Sequence, residues 1–313
     1  MEFATFDLSI FEKAEASQRK SLAKQLDKIC QTSGFLVLTG HGVPDQCIKD
    51  VWAAAQDFFR QTPHFKNGVK APYAGYPYGY LGPNSEALAK SKGVDTPPDL
   101  KESFNGGPLA VPSDISDPDA LAFCYSPTIW PDLEGFKTAW QTYYQQMETL
   151  ASRIMVAFAV ALELPDDFFA GYIDHPISAL RALNYPATAE VTELNQQRAG
   201  AHTDYGSLTI LLPQPGSQGL QVALPNRGWF DVPTPEGAFV INIGDLMARW
   251  TADRWVSTLH RVVAKPNQPA RQSLAFFHQP NWNAVIAPLD NSRKYDEVRS
   301  GPYLMEKFKS TGS

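Results

Sequence analysis

The segment that decides the fold reads Gly200-Ala201-His202-Thr203-Asp204-Tyr205-Gly206-Ser207-Leu208-Thr209, and Ser257-Thr258-Leu259-His260-Arg261-Val262 follows it later in the chain. Residues two apart on a β-strand point to the same face, so His202 and Asp204 can converge on one point. A first-row metal needs donors at about 2.0–2.2 Å, which these side chains can supply. His260 lies in a β-branched run that predicts a later strand, and it would complete a set of two imidazoles and one carboxylate.

A His-x-Asp pair by itself is more often a surface pair or a helix cap, and the distal His260 is what favours a metal site. Two imidazoles and one carboxylate occupy one face of an octahedron and leave three positions open, an arrangement typical of non-haem Fe(II). Arg271 and Ser273 share a strand face, and a guanidinium fork beside a hydroxyl suits one carboxylate group. The pattern therefore predicts a metal site with open positions beside an anchor for a dicarboxylic acid.

Short strands separated by turns make up the chain from residue 178 onward. Seven or eight such strands over about 100 residues are typical of a double-sheet jelly roll of the cupin type, the double-stranded β-helix. The predicted strands are Ser178–Tyr185, Leu208–Leu212, Leu220–Leu224, Trp229–Val232, Phe239–Ile243, Thr258–Ala264 and Gln272–Phe277. A barrel of this kind places inward-facing side chains around a cavity for a metal, a cosubstrate and a substrate.

Amphipathic helices are predicted for residues 15–33, for 45–60 with Asp45 as N-cap, and for Leu133–Leu164. Residues 67–130 are rich in Gly, Pro and Tyr, which indicates a long loop that is either a plain surface loop or one wall of a pocket. The fold class is thus mainly β with flanking helices. We expect one compact unit with an N-terminal helical and lid region (1–177), a jelly-roll core (178–290) and a C-terminal tail (291–313).

Composition excludes several classes of protein. The 313 residues carry a net charge of −6 without a lysine or arginine block, which argues against nucleic-acid binding. The longest apolar run, Ile154–Leu162, is far short of the ~20 residues that span a bilayer. Three cysteines without metal-like spacing fit a reducing, cytoplasmic setting. The oligomeric state stays open.

Several segments, in the same order along the chain, carry a resemblance to a known family. They are Gly34–Pro44 (GFLVLTGHGVP), Leu180–Pro186 (LRALNYP), Gly200–Thr209, Gly219–Val222 (GLQV), Val240–Asp245 (VINIGD) and Arg271–Ser273 (RQS). With these segments the chain resembles the isopenicillin N synthase-like branch of the Fe(II)- and 2-oxoglutarate-dependent dioxygenases. Its first part resembles the N-terminal region of non-haem dioxygenases.

The resemblance implies an enzyme that uses Fe(II), 2-oxoglutarate and O2. Such enzymes couple the oxidative decarboxylation of 2-oxoglutarate to hydroxylation, desaturation or cyclisation of a small organic metabolite. His202, Asp204 and His260 would be the metal ligands and the catalytic centre. Arg271, Ser273 and Tyr185 would hold 2-oxoglutarate. Some relatives have an asparagine two residues before this tyrosine, where the present chain has Leu183.

The substrate positions implied by the resemblance are Arg181, Phe277 and Gln279. For Arg181 a surface salt bridge is an equally good interpretation. His278 should face away from the metal, and His41 is expected to be a structural hydrogen-bonding residue. The Asn242-Ile243-Gly244-Asp245 segment reads as a structural turn in which Asp245 caps a short helix.

Two other functions remain compatible with these motifs. An oxidase of the same fold could work without 2-oxoglutarate, because isopenicillin N synthase uses the equivalent Arg-x-Ser to bind its own substrate's carboxylate. A non-catalytic jelly-roll module could hold a structural metal. A closed structural zinc site would have four protein ligands, whereas this sequence offers three.

Overall fold

The computed structural model describes residues 3–188, 196–224 and 227–310. The strands are β1 (Thr5–Asp7), β2 (Phe35–Thr39), β3 (Gly79–Leu81), β4 (Glu102–Gly106), β5 (Ala179–Tyr185), β6 (Ala199–His202), β7 (Leu208–Pro213), β8 (Leu220–Leu224), β9 (Gly228–Asp231), β10 (Phe239–Ile243), β11 (His260–Val262), β12 (Arg271–His278), β13 (Val285–Ile286) and β14 (Val298–Arg299). The helices are α1 (Leu8–Lys13), α2 (Ala16–Thr32), α3 (Asp45–Arg60), α4 (Pro63–Asn67), α5 (Pro118–Phe123), α6 (Phe136–Ala161), α7 (Asp245–Trp250) and α8 (Ser300–Ser310).

Two facing sheets form the centre of the molecule. One has eight strands in the order β1-β2-β10-β7-β12-β5-β4-β3, and all its neighbours except β1 and β2 are antiparallel. The other is an antiparallel sheet of four strands in the order β6-β11-β8-β9. A buried apolar cluster joins them, and it combines Phe35, Leu183, Tyr185, Val240 and Ala275 of the large sheet with Ala199, Leu220, Val222, Leu224 and Val262 of the small one. This is the double-stranded β-helix that the strand pattern predicts.

Helices cover the outer face of the large sheet. The long helix α6 places a buried stripe that includes Trp140, Met147 and Ile154 in the main core. Its Tyr144 ring meets Phe276 of β12 edge-on, with centroids 5.2 Å apart. The predicted helices at 15–33, 45–60 and 133–164 are confirmed as α2, α3 and α6. Apolar residues at three- and four-residue spacing form the buried face of each helix.

The predicted loop at 67–130 is partly wrong. It contains β3, β4, α5 and a short 3-10 helix at Leu88–Lys92. Strand β4 pairs with β5 and so extends the large sheet beside the interior. The Gly- and Pro-rich composition concealed these elements because each is only three to six residues long.

Both predicted aspartate N-caps are wrong. Asp45 is the first residue of α3, and Pro44 occupies the cap position. Gly244 caps α7, because Asp245 turns its carboxylate to Ser257 and Lys307 instead. Tertiary partners thus outcompete the local backbone for the Asp245 side chain.

Gly34 allows the turn between α2 and β2 to lie very close to the segment that precedes His260. It adopts φ +61°, and a Cβ there would lie 2.0 Å from the carbonyl oxygen of Val256. Only glycine fits both the left-handed backbone and the contact. The turn between α2 and β2 is thereby held against the segment that leads to His260.

Several smaller expectations have clear outcomes. His41 is structural as predicted, because one ring nitrogen contacts the Gly237 carbonyl and the other accepts a hydrogen bond from the Val43 amide.

The three cysteines are buried and free. In the described part of the chain, no helix has both the length and the apolarity to cross a bilayer. The ends of the predicted first and last segments, residues 1–2 and 311–313, lie outside the described residues.

Candidate metal centre

Strand pairing brings the two histidines together. His202 is the last residue of β6 and His260 the first of β11, and they are direct partners across the small sheet. Their ring centroids are 4.3 Å apart. Asp204 follows β6, and its Oδ1 atom lies 3.8 Å from His202 Nε2 and 3.7 Å from His260 Nε2. One donor atom from each residue lies within 4.8 Å of the others, as three ligands of a single ion require.

Backbone carbonyls orient both imidazole rings. His202 Nδ1 lies 2.7 Å from the Gly200 carbonyl oxygen, and His260 Nδ1 lies 3.1 Å from that of Thr258. These contacts assign the proton to Nδ1 and leave the Nε2 lone pair free for a metal. Burial, followed by the proximity of His260, lowers the pKa of His202 to about 3, so this ring is neutral near pH 7.

Two neighbours fix the carboxylate of Asp204. Its Oδ2 atom accepts hydrogen bonds of 2.5 Å from Thr209 Oγ1 and 2.7 Å from Asn242 Nδ2. Oδ1 therefore faces the histidines. Burial alone would raise the pKa of Asp204, but His260, His202 and the two hydrogen bonds outweigh it and keep the carboxyl ionised. The group is held as a preoriented anionic ligand.

Asn242 was missed as a functional residue, because its segment reads as a turn. It lies within β10, opposite Thr209 of β7 and Phe35 of β2. All three positions therefore share the interior face. The available signal was a lone amide in the apolar run Phe239–Ile243, two residues from the buried Val240.

The loop after Asp204 is held tightly against the start of α7. The Asp245 amide donates to the Asp204 carbonyl at 2.7 Å. A Cβ on Gly244 would lie 2.2 Å from the Gly206 carbonyl oxygen, so this crossing needs a glycine. The packing limits how far Asp204 can move relative to the histidines.

A second group of polar atoms lies on the interior face of β12 and β5. Arg271 pairs with Tyr185 across the sheet, and its guanidinium carbon is 4.9 Å from the tyrosine ring centroid. Its Nη1 donates to the Gln218 carbonyl at 3.1 Å. Arg271 Nε and Ser273 Oγ are buried yet have no hydrogen-bond partner among the described residues. Since buried polar groups are nearly always paired, these two donors fit an anionic ligand such as a carboxylate.

Arg198 adds positive charge near Arg271, and the sequence analysis did not predict it as a site residue. It is 1% exposed and donates from Nη2 to the carbonyls of Pro186 and Pro269. Burial, with a further contribution from Arg271, lowers its pKa, which indicates that the two guanidinium groups are near one another. Its position just before β6 gave no signal in the sequence.

Leu183 lies where some relatives have an asparagine. It faces the interior and belongs to the apolar cluster between the sheets. The neighbouring Asn184 cannot replace that amide, because it points to the other face and bonds Glu102 and Gln272. The interior therefore has an apolar side chain, and not an amide, at position 183.

The three predicted substrate positions lie on or next to the interior face. Arg181 pairs with Ala275, and Phe277 pairs with both Ala179 and Thr209. The predicted salt bridge of Arg181 exists, to Glu86, but the arginine side chain is only 16% exposed and not on the surface. Gln279 lies just beyond β12.

Gln279 and His278 point in different directions. The Gln279 amide lies directly over Gly206, where a Cβ would be 2.4 Å from its Nε2. Its Oε1 atom is buried without a partner among the described residues. His278 faces away from the metal ligands as expected, because it stacks near Phe276 and bonds Ser178 Oγ at 3.1 Å.

Comparisons with protein families cover both parts of the chain. Residues 176–280 match the 2OG-Fe(II) oxygenase superfamily. Residues 4–133 match the N-terminal region described as "non-haem dioxygenase in morphine synthesis N-terminal".

Individual relatives align over most of their length. Validamycin A dioxygenase of Streptomyces hygroscopicus subsp. limoneus is 33% identical over 90% of this chain and 78% of its own. The 2-oxoglutarate-Fe(II) type oxidoreductase hxnY of Emericella nidulans is 31% identical over 95% of this chain and 84% of its own. A full-length protein of Neurospora crassa, solved in complex with alpha-KG (2-oxoglutarate), has a TM-score of 0.85 and 31% identity, with 97% of this chain and 95% of that chain covered.

Proposed function

This chain belongs to the 2OG-Fe(II) oxygenase superfamily, and we propose that His202, Asp204 and His260 are the residues with which it binds Fe(II). It is an Fe(II)- and 2-oxoglutarate-dependent dioxygenase that uses O2. The single observation that supports the ligand assignment best is the convergence of the three donors within 4.8 Å. In addition, each ligand has its other polar atom held by the protein, which is the usual support of a metal site.

Arg271, Ser273 and Tyr185 are the proposed binding residues for 2-oxoglutarate. An imidazole binds a metal in its uncharged form, so two such ligands and one carboxylate would leave Fe(II) with a formal charge of about +1, which favours an anionic chelate. Arg271 Nε and Ser273 Oγ would hold the far carboxylate of 2-oxoglutarate, and its 2-oxo acid end would then face the metal held by His202, Asp204 and His260. The Nε and Oγ atoms are buried and otherwise unpaired among the described residues.

When bound, Fe(II) and 2-oxoglutarate together supply the oxygen activation that oxidises a C–H bond. The chain's own residues position the partners and exclude water. Thr209 and Asn242 keep Asp204 oriented, and the apolar cluster between the sheets includes Tyr185, one of the proposed 2-oxoglutarate contacts.

A small organic molecule is the proposed substrate. Solved complexes of the same Neurospora crassa protein hold thymine and 5-formyluracil, and one relative is named for validamycin A. Arg181 and Phe277 on the interior face, with Gln279 beside Gly206, are the proposed contacts. The oxidation outcome, which can be hydroxylation, desaturation or cyclisation, depends on which C–H bond they present to the metal.

The other functions considered have less support. The names of several relatives specify 2-oxoglutarate, which disfavours an oxidase without it. A structural metal module would not need the unpaired donors at Arg271 and Ser273. The division at residues 1–177, 178–290 and 291–313 and the cytoplasmic location stay predictions.

The direct test is succinate formation by the purified protein supplied with Fe(II), 2-oxoglutarate and O2. We expect slow succinate release without substrate and faster release when a screen of small metabolites includes a substrate. Iron-dependent oxygen consumption without succinate would instead favour the oxidase. Absence of both, in protein that binds Fe(II), would favour the structural metal module.

A further inference from the structure

Four charged side chains form a compact cluster beside the interior, here called the charge cluster: Glu86, Asp99, Lys101 and Arg181. Arg181 Nη2 lies 2.6 Å from Glu86 Oε1, and Lys101 Nζ lies 3.2 Å from Glu86 Oε2. Lys101 Nζ also lies 2.7 Å from Asp99 Oδ2. The side chains are 1–18% exposed, so solvent screens them little.

The charge cluster adjoins the metal ligands. Asp99 Oδ1 accepts from the amide of Gly200, two residues before His202, at 2.9 Å. Lys101 is near enough to contribute to the lowered pKa of His202. Across the large sheet, Thr209 pairs with Phe277, which pairs with Ala179, two residues from Arg181. Strand spacing then places Arg181 roughly 12 Å from Thr209 on the same face.

The cluster is electrically neutral, because it contains two acids and two bases. Burial works against ionisation of Glu86, but Arg181 and then Lys101 outweigh it and lower the pKa of Glu86 to about 2. Glu86 is therefore a full negative charge at neutral pH. The nearby cation Lys92 is directed elsewhere, because it donates to Thr203.

Arg271 and Arg181 differ in whether a carboxylate side chain already pairs with them. Arg271 forms no ion pair with any described carboxylate, and its Nε is buried without a partner. Arg181 already has Glu86 at Nη2 and the Asn105 amide oxygen at Nε. Its Nη1 has no acceptor among the described residues and can still donate. A carboxylate bound there would meet the negative charge of Glu86 on the same guanidinium group, whereas a neutral oxygen would not.

Resting on the function proposed above, we infer that the substrate group docked at Arg181 is uncharged. It is a carbonyl, amide or hydroxyl oxygen that accepts a hydrogen bond from Arg181 Nη1. Glu86 is the specificity-determining residue, because it neutralises Arg181 and rejects carboxylates at this position. The proposed 2-oxoglutarate site at Arg271 thus selects an anionic group, and the proposed substrate site at Arg181 selects an uncharged one.

Matched pairs of probes test this inference without a known substrate. The pairs are benzamide and benzoate, nicotinamide and nicotinate, and indole-3-acetamide and indole-3-acetate, each titrated anaerobically into protein loaded with Fe(II) and 2-oxoglutarate. For the wild-type chain we expect the amide of a pair to bind at least about tenfold more tightly than the acid, the effect of one unfavourable buried charge contact. Equal or tighter binding of the acids would overturn the inference.

The Glu86→Gln variant provides the second arm. Without the acid, the charge of Arg181 is no longer paired with Glu86, so the ratio of acid affinity to amide affinity should rise by about tenfold or more. Asp166→Asn is the matched control, since it removes a 58% exposed carboxylate 2.7 Å from Arg19 and should leave the preference as in the wild type. If the acids do not bind Glu86→Gln more tightly than they bind the wild type, the inference is wrong. This holds if the acids already bind the wild type well, and it also holds if none of the six probes binds either protein.

Arg181→Gln keeps the inference testable if Glu86→Gln does not fold. It retains a donor for Glu86 but removes the cation, so amide binding should weaken and the acids should gain nothing. A gain for the acids in this variant would count against the inference. The proposed function is read out separately, because 2-oxoglutarate binding and succinate release are measured before any probe is added.

Discussion

Asn242 donates a hydrogen bond of 2.7 Å to Asp204 Oδ2, the carboxylate oxygen that faces away from the two histidines. The amide comes from β10 and the acid from the loop after β6, so the bond joins the two sheets at the metal centre. It fixes which oxygen of Asp204 points at His202 and His260. Neighbours of this kind typically change metal affinity by about 10–100-fold when removed.

Asn242→Ala should therefore weaken Fe(II) binding by about 10–100-fold, because Asp204 can then rotate away from the histidines. Anaerobic titration with Fe(II), or with Co(II) as a spectroscopic substitute, measures the affinity. Asn281→Ala is the control, since its side-chain amide nitrogen bonds Gly171 and Asp174 and none of its described hydrogen bonds reaches a metal ligand. Equal iron affinity of Asn242→Ala and the wild type would mean that the hydrogen bond does not orient the ligand.

Substitution of Arg271 should weaken the binding of 2-oxoglutarate more than substitution of Ser273 does. Loss of a charge-assisted contact costs about 2–5 kcal/mol, so Arg271→Met should raise the KM for 2-oxoglutarate by about 30-fold or more. Ser273→Ala removes one neutral donor at about 1 kcal/mol, or roughly fivefold. Steady-state succinate assays give both values. If Arg271→Met kept the wild-type KM, the far carboxylate would have to bind elsewhere.

Asp245 connects the segments that carry the metal ligands. It accepts from Ser257 Oγ at 2.7 Å and pairs with Lys307 Nζ of α8 at 3.2 Å. Asp245→Ala should lower the free energy of unfolding by about 1–3 kcal/mol, because Ser257 loses its acceptor. Lys307→Met should cost less than about 1 kcal/mol, since the pair is partly solvated. Urea denaturation tests the order, and a larger loss for Lys307→Met would contradict it.

His278 should contribute to acid sensitivity. Burial lowers its pKa from 6.5 to about 4, so the unfolded chain takes up a proton first as the pH falls. The stability that the neutral ring provides is complete above pH 6.5 and is lost between pH 6.5 and 4. The linked loss is about 3 kcal/mol.

The check is the free energy of unfolding of the wild type and of His278→Phe across that pH range. Because phenylalanine cannot titrate, the difference between the two proteins should change by about the same 3 kcal/mol. The pH dependence of the variant should be correspondingly shallower. Parallel curves for the two proteins would show that His278 does not titrate differently in the folded and unfolded chain.

The sequence predicted those parts of the site that depend on local spacing. The two-residue strand period correctly placed Arg271 and Ser273 on one face of β12. His202 and Asp204 do converge, but Asp204 lies in the loop after β6 and not on the strand that the period assumed. Apolar patterns gave strands such as Leu220–Leu224 with their true bounds.

Contacts between distant segments could not be predicted in this way. Asn242 reaches Asp204 from 38 residues away, and Glu86 reaches Arg181 from 95. Neither residue has a spacing relative to its partner that a repeat period would reveal. Asp245 shows the same limit, because its tertiary partners override the local capping preference.

Succinate formation by the Asp204→Ala variant tests the central claim most directly. The wild type, Asp204→Ala and the exposed control Asp166→Ala are each supplied with Fe(II), 2-oxoglutarate and O2, and succinate is measured together with bound iron. We predict that Asp204→Ala loses both iron binding and at least about 99% of succinate formation, while Asp166→Ala keeps both. Wild-type succinate formation by Asp204→Ala would contradict the assignment of His202, Asp204 and His260 as the metal centre.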